Sequence, residues 1–361
     1  MFKQGASKMP VEEKMKSPVN AAIDAVVDQH MLNFWLQKLN PLWSVHEALG
    51  RIVEKNLVSK DMLAFRIEVN RHFKFGVAGQ HHPVYVFVNG VRYERSYSLT
   101  QIDAKHVQLN IKNVAEGKVS AYFHQHAKIG DIIEFGRPYG DMTLSETAEP
   151  MLLLAAGSGI TPMYSLVNQW VHSKNVDSQP MHLMYWVKST ADAAFSRQFA
   201  AWAEQFKNFS YQIFYTQQGD ARFNAEHLQA YHSLAQSRVY ACGPSGFVAS
   251  VETLCTSAAV IMTEAFSLSA LQSDDVGFVR VTLTKSNQVL NIPRGQSILS
   301  SLEQQNIKPE HGCRMGICNK CACHKVEGAT RNLVNGMQNK EPGNLLRICV
   351  NSAQSDLVID L

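Results

Sequence analysis

The 361-residue sequence predicts a multidomain chain: an antiparallel β-barrel, then a parallel-sheet α/β domain, then a small α+β module. Three observations support this fold class. Strand-length segments separated by Gly, Asn and Pro turns fill residues 46–145. From residue 150, apolar strands alternate with amphipathic helices. Four cysteines crowd into residues 313–323. The length itself exceeds what one hydrophobic core usually organises.

Changes in composition divide the chain into five segments. Residues 1–45 are predicted to be an N-terminal helical extension, whose helix ends before Pro41 and leaves Trp35 and Trp43 exposed. The other four segments are the barrel at 46–148, the α/β domain at 149–266, a linker at 267–276 and the last module at 277–361. The aromatic residues of the extension either dock on a membrane or a partner or pack against the barrel.

Composition excludes several classes of protein. The chain is 45% hydrophobic and 18% charged, as in soluble globular proteins. A net charge of +3 without a basic stripe gives no indication of nucleic-acid binding. Apolar runs such as Met151–Ala156 are far shorter than the roughly 20 residues of a membrane span, and no signal peptide is evident. We therefore expect a cytoplasmic protein, in which clustered cysteines hold metal.

The cysteine spacing near the end of the chain indicates an iron–sulfur cluster. Cys313, Cys318 and Cys321 follow the pattern C-x4-C-x2-C, and Cys349 comes 28 residues later. This is the plant-type ligand spacing for [2Fe–2S]. Gly312 and Gly316 permit a tight loop, whose backbone N–H groups can point at the sulfurs. The alternatives are structural zinc, which prefers paired C-x2-C knuckles, and a disulfide; Cys323 is predicted to be a packed thiol.

Two turns at the ends of predicted strands point to nucleotide binding. In "GSGITP", Gly157 and Gly159 let a pyrophosphate approach a helix start, where Thr161 can cap and Pro162 suits the first turn. "ACGPSG", with Cys242, ends another strand at the same edge of the sheet, where open α/β sheets bind ligands. Taken singly, these features also fit a plain turn and a buried cysteine.

Two motifs in the barrel segment point to anion binding. In "RSYS", Arg95 can clamp a phosphate and Tyr97 offers a flat face with a polar tip. Gly117 and Ser120 are placed at a helix start, a second anion site.

In this order the motifs resemble the ferredoxin–NADP reductase superfamily with a C-terminal plant-type ferredoxin, over residues 46–361. The resemblance implies an antiparallel β-barrel flavin domain, an α/β parallel-sheet nucleotide domain and an α+β β-grasp ferredoxin domain. It also implies an NAD(P)H-dependent oxidoreductase, which passes electrons through FAD and a [2Fe–2S] cluster singly to an outside acceptor.

The resemblance assigns roles residue by residue. Arg95 would hold the flavin phosphate, with Tyr97 and Ser98 against the isoalloxazine ring. The flavin pyrophosphate would lie beside Gly117, Val119 and Ser120. The segment "GRPYGDM" resembles that of FAD-binding members, with Arg137 inserted and Met142 replacing Phe, and this favours FAD over FMN.

The same resemblance assigns the nicotinamide nucleotide. Its pyrophosphate loop would comprise Gly157, Gly159, Thr161 and Pro162. The C-G-P motif, with the cysteine near the nicotinamide, would comprise Cys242, Gly243 and Pro244. Phe266 of "EAF" would lie near the flavin. The predicted catalytic residues are Tyr97, Ser98, Cys242 and Phe266.

NADPH is favoured over NADH, since Arg222 and Lys188 can meet a 2′-phosphate, although Gln217 stands where some relatives have arginine. The histidines His81, His82, His124 and His126 are interpreted as surface or core residues without a role in chemistry.

A finer resemblance concerns the acceptor. "CRMGIC", "ATRNLVNG", "RICVNSAQSDLVIDL" and "NPLWSV" are similar to reductases that serve membrane-bound acyl-CoA Δ9 desaturases. This implies a membrane di-iron acceptor and peripheral attachment at the inner face of the membrane. The alternatives are a reductase for a soluble oxygenase, of the phenylacetyl-CoA epoxidase or ring-hydroxylating type, and a redox sensor. Residues 277–361 carry ten Lys and Arg against six Asp and Glu, and this basic excess suits an anionic bilayer, an acidic oxygenase surface or simply water.

Overall fold

The computed structural model describes residues 29–88, 90–114, 117–145, 147–229, 231, 233–267, 277–334 and 336–361. Its first element is helix α1 (Gln29–Leu39), which ends before Pro41 as predicted. The rest of the predicted N-terminal extension, residues 1–28, lies outside the described residues. Trp35 and Trp43 are exposed, also as predicted. No helix in the described part of the chain has the length and apolar character needed to cross a bilayer.

The predicted antiparallel barrel is confirmed. Its strands are β1 (Ala48–Ser59), β2 (Met62–Val69), β3 (His81–Val88), β4 (Val91–Gln101), β5 (His106–Lys112) and β6 (Ile132–Phe135). They close in the order β1-β2-β5-β4-β3-β6 with antiparallel neighbours. Helix α2 (Lys118–Gln125) buries Phe123 edge-on against Phe65 of β2, with ring centroids 5.3 Å apart. This aromatic contact fixes α2 on the barrel core.

The second sheet is parallel, as predicted. It is built from β7 (Met151–Ala156), α3 (Ile160–Val171), β8 (Met181–Val187), α4 (Ser196–Gln205), β9 (Phe209–Tyr215), α5 (Ala225–Gln229), β10 (Arg238–Pro244), α6 (Ser245–Leu254) and β11 (Val260–Ser267). The strand order is β11-β10-β7-β8-β9. The order reverses between β7 and β10, so the loops that follow these strands border a crevice at one edge of the sheet.

The last module has the α+β composition predicted for it. It contains β12 (Phe278–Leu283), β13 (Gln288–Pro293), α7 (Ile298–Gln304), β14 (Ala322–Glu327), β15 (Thr330–Asn332), β16 (Gln338–Asn339), β17 (Asn344–Arg347), β18 (Asn351–Ala353) and β19 (Leu357–Ile359). A mixed sheet runs β13-β12-β19-β14-β17, and β16-β15-β18 form a small second sheet. Cys323 of β14 is a packed thiol, as expected, in a core with Ile298 and Leu299 of α7.

Candidate flavin, nucleotide and cluster site

A cavity of about 320 Å³ lies where all three modules meet. The barrel supplies Arg95, Tyr97 and Ser98 from β4 and Gly117, Val119 and Ser120 from the start of α2. The nucleotide domain supplies Ser158, Thr161 and Phe266, and the cluster loop supplies Cys313, Arg314 and Met315. Residues predicted to contact the flavin, the nucleotide and the cluster thus line the same cavity, although they are far apart in sequence.

The cavity has a cationic end suited to a phosphate. Burial lowers the pKa of Arg95, and the nearby Arg314 lowers it further. Arg314 is held in place because its Nη1 donates to Glu303 Oε2 at 2.8 Å. Two guanidinium groups that repel each other are stabilised by an anion between them, so this end fits the flavin phosphate.

The start of α2 is the second anion-binding feature. Gly117 is the N-cap residue, and Ser120 Oγ donates to Gly117 O at 3.0 Å. Val119 is buried behind the helix start. Free backbone N–H groups at a helix N-terminus favour a pyrophosphate.

His81 is a buried core residue, in agreement with its interpretation, and it lies next to the cavity without lining it. The register of β3 and β4 pairs His81 with Ser98, and His81 Nδ1 lies 3.2 Å from Ser98 Oγ. On its other side, His81 Nε2 lies 2.9 Å from Glu264 Oε1 of β11. Glu264 Oε2 is buried without a hydrogen-bond partner. Three polar groups therefore connect the flavin face of the barrel with the nucleotide sheet.

The other three histidines match their predicted interpretation. His82 is buried and stacks on Phe73 at 5.1 Å. His124 Nε2 contacts the backbone O of Ile111 at 2.9 Å, and His126 is exposed. Two aromatic residues predicted near the flavin also line the cavity. Tyr97 packs edge-on against Phe123, and Phe266 lies 6.1 Å from the His81 ring.

The two nucleotide motifs touch each other. A Cβ on Gly159 would lie 2.0 Å from Cys242 O, so only glycine fits there. Parallel pairing of β10 with β11 sets Cys242 beside Glu264. Burial, and then the Glu264 charge, raise the pKa of the Cys242 thiol well above its usual value. Cys242 is thus a neutral, buried thiol at the edge of the sheet, and Gly243 and Pro244 end β10 beside it.

One local prediction about this loop is wrong. Thr161 does not cap α3, because Gly159 occupies the N-cap position and Thr161 is already the second helical residue. Its Oγ1 instead donates to Ser158 O at 3.2 Å. The reason is the short 3-10 turn Gly157–Gly159, which starts the helix earlier than the residue preferences indicate. Pro162 does lie in the first turn, as predicted.

The four predicted cluster ligands form two thiol pairs. Cys313 pairs with Cys318, and Cys321 pairs with Cys349. The N–H of Met315 and that of Cys318 both point at Cys313 Sγ, at 3.4 Å. Within the described residues no three His, Cys, Asp or Glu side chains converge as a single metal ion requires. Two thiolates for each of two irons fit [2Fe–2S] better than tetrahedral zinc.

The residues predicted to select NADPH lie at the carboxyl edge of the sheet. Lys188 and Gln217 follow β8 and β9, and the backbone N–H of Gln217 donates to Lys188 O at 2.9 Å. Arg222 comes shortly after Gln217 in the chain, and its side chain is exposed. The next residue, Phe223, packs on Trp186. Lys188 and Arg222 are both exposed, and their selection of NADPH stays a prediction.

Sequence reasoning missed Arg314 as a member of the site, and it missed the contact between His81 and Glu264. "EAF" was the only signal for Glu264, and it drew attention to Phe266 alone. Arg314 sits between two predicted ligands in "CRMGIC", but nothing in that spacing indicates that it faces Arg95. His81 carries no local pattern beyond its place at the start of a strand.

The geometry defines an electron-transfer flavoprotein with a nicotinamide-nucleotide domain and an iron–sulfur module. Three family models match it: an oxidoreductase FAD-binding domain over residues 50–144, an oxidoreductase NAD-binding domain over 153–253, and a 2Fe-2S iron–sulfur cluster binding domain over 281–352.

Known proteins match over most of the chain. An NADPH oxidoreductase of Mycobacterium tuberculosis is 30% identical over 338 residues, or 91% of this chain and 88% of that protein. Phthalate dioxygenase reductase of Burkholderia cepacia is 25% identical over 76% of this chain and 84% of its own length. The solved structure of a phthalate dioxygenase reductase has the same fold, with TM-score 0.65 and 23% identity, covering 87% of this chain and 98% of that one.

The chain belongs to the ferredoxin–NADP reductase type of oxidoreductase, with FAD-binding, NAD-binding and 2Fe-2S domains. It is an NAD(P)H–FAD–[2Fe–2S] electron-transfer reductase, similar to the reductase components of oxygenase systems.

Proposed function

We propose that this reductase takes electrons from NADPH and passes them singly to a membrane-bound di-iron fatty-acyl desaturase, working at the inner face of the membrane. The shared cavity is the observation that supports electron transfer from flavin to cluster. Its wall includes three residues of the cluster loop, Cys313, Arg314 and Met315. Flavin and cluster would then lie close together, and the third module is the outlet. The desaturase is supported by the resemblance of the terminal segments, and NADPH is supported by the long match to an NADPH oxidoreductase.

The chain's own residues position the groups that react. Bound FAD accepts a hydride, and a bound [2Fe–2S] cluster carries one electron at a time. Arg95, Arg314 and the start of α2 would hold the flavin phosphates. The neutral Cys242 thiol and Phe266 would border the nicotinamide and the flavin ring without adding charge.

Ser98, His81 and Glu264 would handle the proton that accompanies flavin oxidation. Ser98 Oγ lines the cavity, His81 follows at 3.2 Å and Glu264 at 2.9 Å. With FAD bound, Ser98 Oγ could give a proton to His81 Nδ1. His81 Nε2 lies 2.9 Å from Glu264 Oε1 but forms no hydrogen bond there, so the two side chains would have to realign before the carboxylate receives the proton. The two histidine nitrogens suit this task because one accepts while the other donates.

A reductase for a soluble oxygenase is the second candidate, and the names of relatives favour it. Phthalate dioxygenase reductase has this fold, and a carnitine monooxygenase reductase subunit of Acinetobacter baumannii is 27% identical over 73% of this chain. In both candidates the acceptor activates oxygen. A redox sensor is the third reading, and steady NADPH-driven reduction of cytochrome c would count against it.

The acceptor can be tested with fractions from cells that lack this chain. Purified holoprotein and NADPH are added to washed membranes with stearoyl-CoA, and oleoyl-CoA is measured. The same reductase is added to the soluble fraction with phenylacetyl-CoA or aromatic acids, and oxygen uptake is measured. Desaturation by membranes alone supports the proposal. Product only in the soluble fraction would transfer the assignment to a soluble oxygenase.

The coenzyme preference has its own test. Arg222→Ala should raise KM for NADPH about tenfold, because a lost charged contact to phosphate is worth about 1.5–3 kcal/mol. KM for NADH should stay within about twofold, since NADH has no 2′-phosphate. Arg197→Ala, on α4, is the control. Equal effects of Arg222→Ala on both coenzymes would show that Arg222 does not select NADPH.

A further inference from the structure

Helix α1 exposes four of its six apolar side chains to solvent, whereas Leu32 and Leu36 are partly buried. Met31, Phe34, Trp35 and Leu39 are 54–77% exposed, and Trp43, just past the helix, is 52% exposed. These five residues are called here the α1 patch, and the four on the helix follow the spacing i, i+3, i+4 and i+8. Side chains with that spacing share one face of a helix.

The opposite face of α1 is tied to the barrel by polar groups. Asn33 Oδ1 accepts from the N–H of Val45 at 2.9 Å and from Ser44 Oγ at 3.3 Å. Gln37 Nε2 donates to Glu47 Oε2 at 3.4 Å. These bonds fix the rotation of the helix, so the α1 patch cannot turn inward without breaking them.

An ordinary surface helix turns its apolar stripe to the core, whereas α1 exposes a second apolar face in addition to the partly buried Leu32 and Leu36. Single exposed apolar residues need no explanation, but four large ones on one short helix with a fifth just past its end do. Burying such side chains is favourable, so leaving them in water carries a cost in stability that a contact outside the chain would offset.

The chemistry of the α1 patch fits a lipid surface. Two Trp and a Phe are the residues that settle at the boundary between headgroups and acyl chains. Lys38 Nζ lies 5.2 Å from the Phe34 ring centroid, so a cation sits at the edge of the patch. In sequence, residues 1–18 before the helix hold four Lys and two Glu. An apolar patch with cations beside it is attracted to an anionic bilayer.

We propose that the α1 patch inserts into the headgroup region of an anionic bilayer and holds the reductase at the membrane surface. With 11 residues, α1 lies in the interface and does not span it. The inference rests on the proposed work at the inner face of the membrane and names the residues that hold the chain there; it does not depend on the acceptor, because lipid binding needs no desaturase. A second copy of the chain and residues 1–28 themselves are the other candidates to cover the patch.

The test is flotation of the full-length holoprotein with vesicles of phosphatidylglycerol and phosphatidylethanolamine, and with phosphatidylcholine alone. The double variant Trp35→Gln/Leu39→Gln removes two patch residues. Phe278→Gln/Val289→Gln is the matched control, because both residues are exposed apolar side chains of the third module. NADPH–ferricyanide turnover and circular dichroism should be the same in all three proteins, which shows that each is folded and loaded.

We expect wild type and control to float with the anionic vesicles, the patch variant to bind at least about tenfold more weakly, and phosphatidylcholine to bind least. Trp emission should shift to the blue on binding in wild type. Wild type that stays unbound with every vesicle, or a patch variant that binds as well as wild type, would overturn the proposal. So would dimerisation by light scattering that disappears in the patch variant without any lipid binding. Failure here leaves ferricyanide turnover and the acceptor assay unaffected, so it is distinguishable from failure of the proposed function.

Discussion

Lys320, the residue before the predicted ligand Cys321, forms an ion pair with Glu94, the residue before Arg95 on barrel strand β4. Glu94 is almost buried, with its side chain 9% exposed. A Cβ on Gly312 would lie 2.5 Å from Glu94 Oε1, so the cluster loop packs directly on this carboxylate. Glu94 and Lys320 therefore fasten the iron–sulfur module beside the flavin cavity.

Lys320→Gln should slow electron transfer from flavin to cluster by several-fold, because it leaves Glu94 buried without its cation. We expect the substitution to weaken docking of the iron–sulfur module on the barrel by about 1–3 kcal/mol, because the almost buried Glu94 carboxylate would be left without a partner. Stopped-flow absorbance after NADPH addition separates rapid flavin reduction, which should be unchanged, from cluster reduction.

The control for Lys320→Gln is Lys285→Gln, which breaks a more exposed pair with Asp360 at 3.8 Å in the same module. It should leave both phases unchanged, because exposed pairs contribute little. The double variant Glu94→Gln/Lys320→Gln should recover part of the rate. A single variant with wild-type cluster reduction would show that the ion pair does not position the module.

His81→Gln should lower steady-state turnover with ferricyanide by at least about tenfold, since positioned proton transfer contributes 10² or more. Binding of NADPH should change little, so the loss appears in kcat and not in KM. His82→Gln is the matched control, because His82 is the adjacent buried histidine and stacks on Phe73 away from Ser98. If His81→Gln and His82→Gln lose the same activity, the effect is structural and the relay is wrong.

The free energy of unfolding should fall as the pH is lowered from the pKa of His82 in the unfolded chain to its pKa in the folded chain. The pKa of His82 is lowered from 6.5 to about 4; burial is the main cause, the contact with Lys74 O at 3.0 Å opposes it, and the neighbouring His81 adds a smaller lowering. Between these pH values the unfolded chain binds a proton that the folded chain does not. The free energy of unfolding should therefore drop by up to about 1.4 kcal/mol per pH unit on going down from 6.5.

The pH effect can be measured by urea unfolding at several pH values. His82→Gln should flatten the slope between about pH 6.5 and 4 relative to wild type. An unchanged slope would assign the acid sensitivity to other groups.

Single Ser substitutions at Cys313, Cys318, Cys321 and Cys349 should each remove most of the iron and of the visible absorption beyond the flavin band, since each of the two irons needs two thiolates. Cys323→Ala should keep both. Burial raises the pKa of Cys323 to about 12, so it remains a neutral core thiol. Its removal should cost about 1–2 kcal/mol of stability. If Cys323→Ala lost the cluster and Cys349→Ser retained it, Cys323 would be the fourth ligand and Cys349 the packed thiol.

The sequence by itself determined the order of modules, the two kinds of sheet and the candidate ligand set. Those features depend on local sequence patterns. Short strands separated by turns indicate the barrel, and fully apolar strands such as Met151–Ala156 indicate a sheet covered on both faces. The spacing of thiols along one loop indicates the ligand set. Trp35 and Trp43 were also predicted to be exposed.

Only the tertiary structure decided which side chains meet. Strand register sets His81 beside Ser98, and packing of the second domain on the barrel brings Glu264 to the same histidine. The pair Lys320 and Glu94 joins residues 226 positions apart, and Arg314 faces Arg95 across the same junction. Local propensity depends on near neighbours, whereas these contacts depend on how completed domains dock, and no spacing along the chain records that geometry.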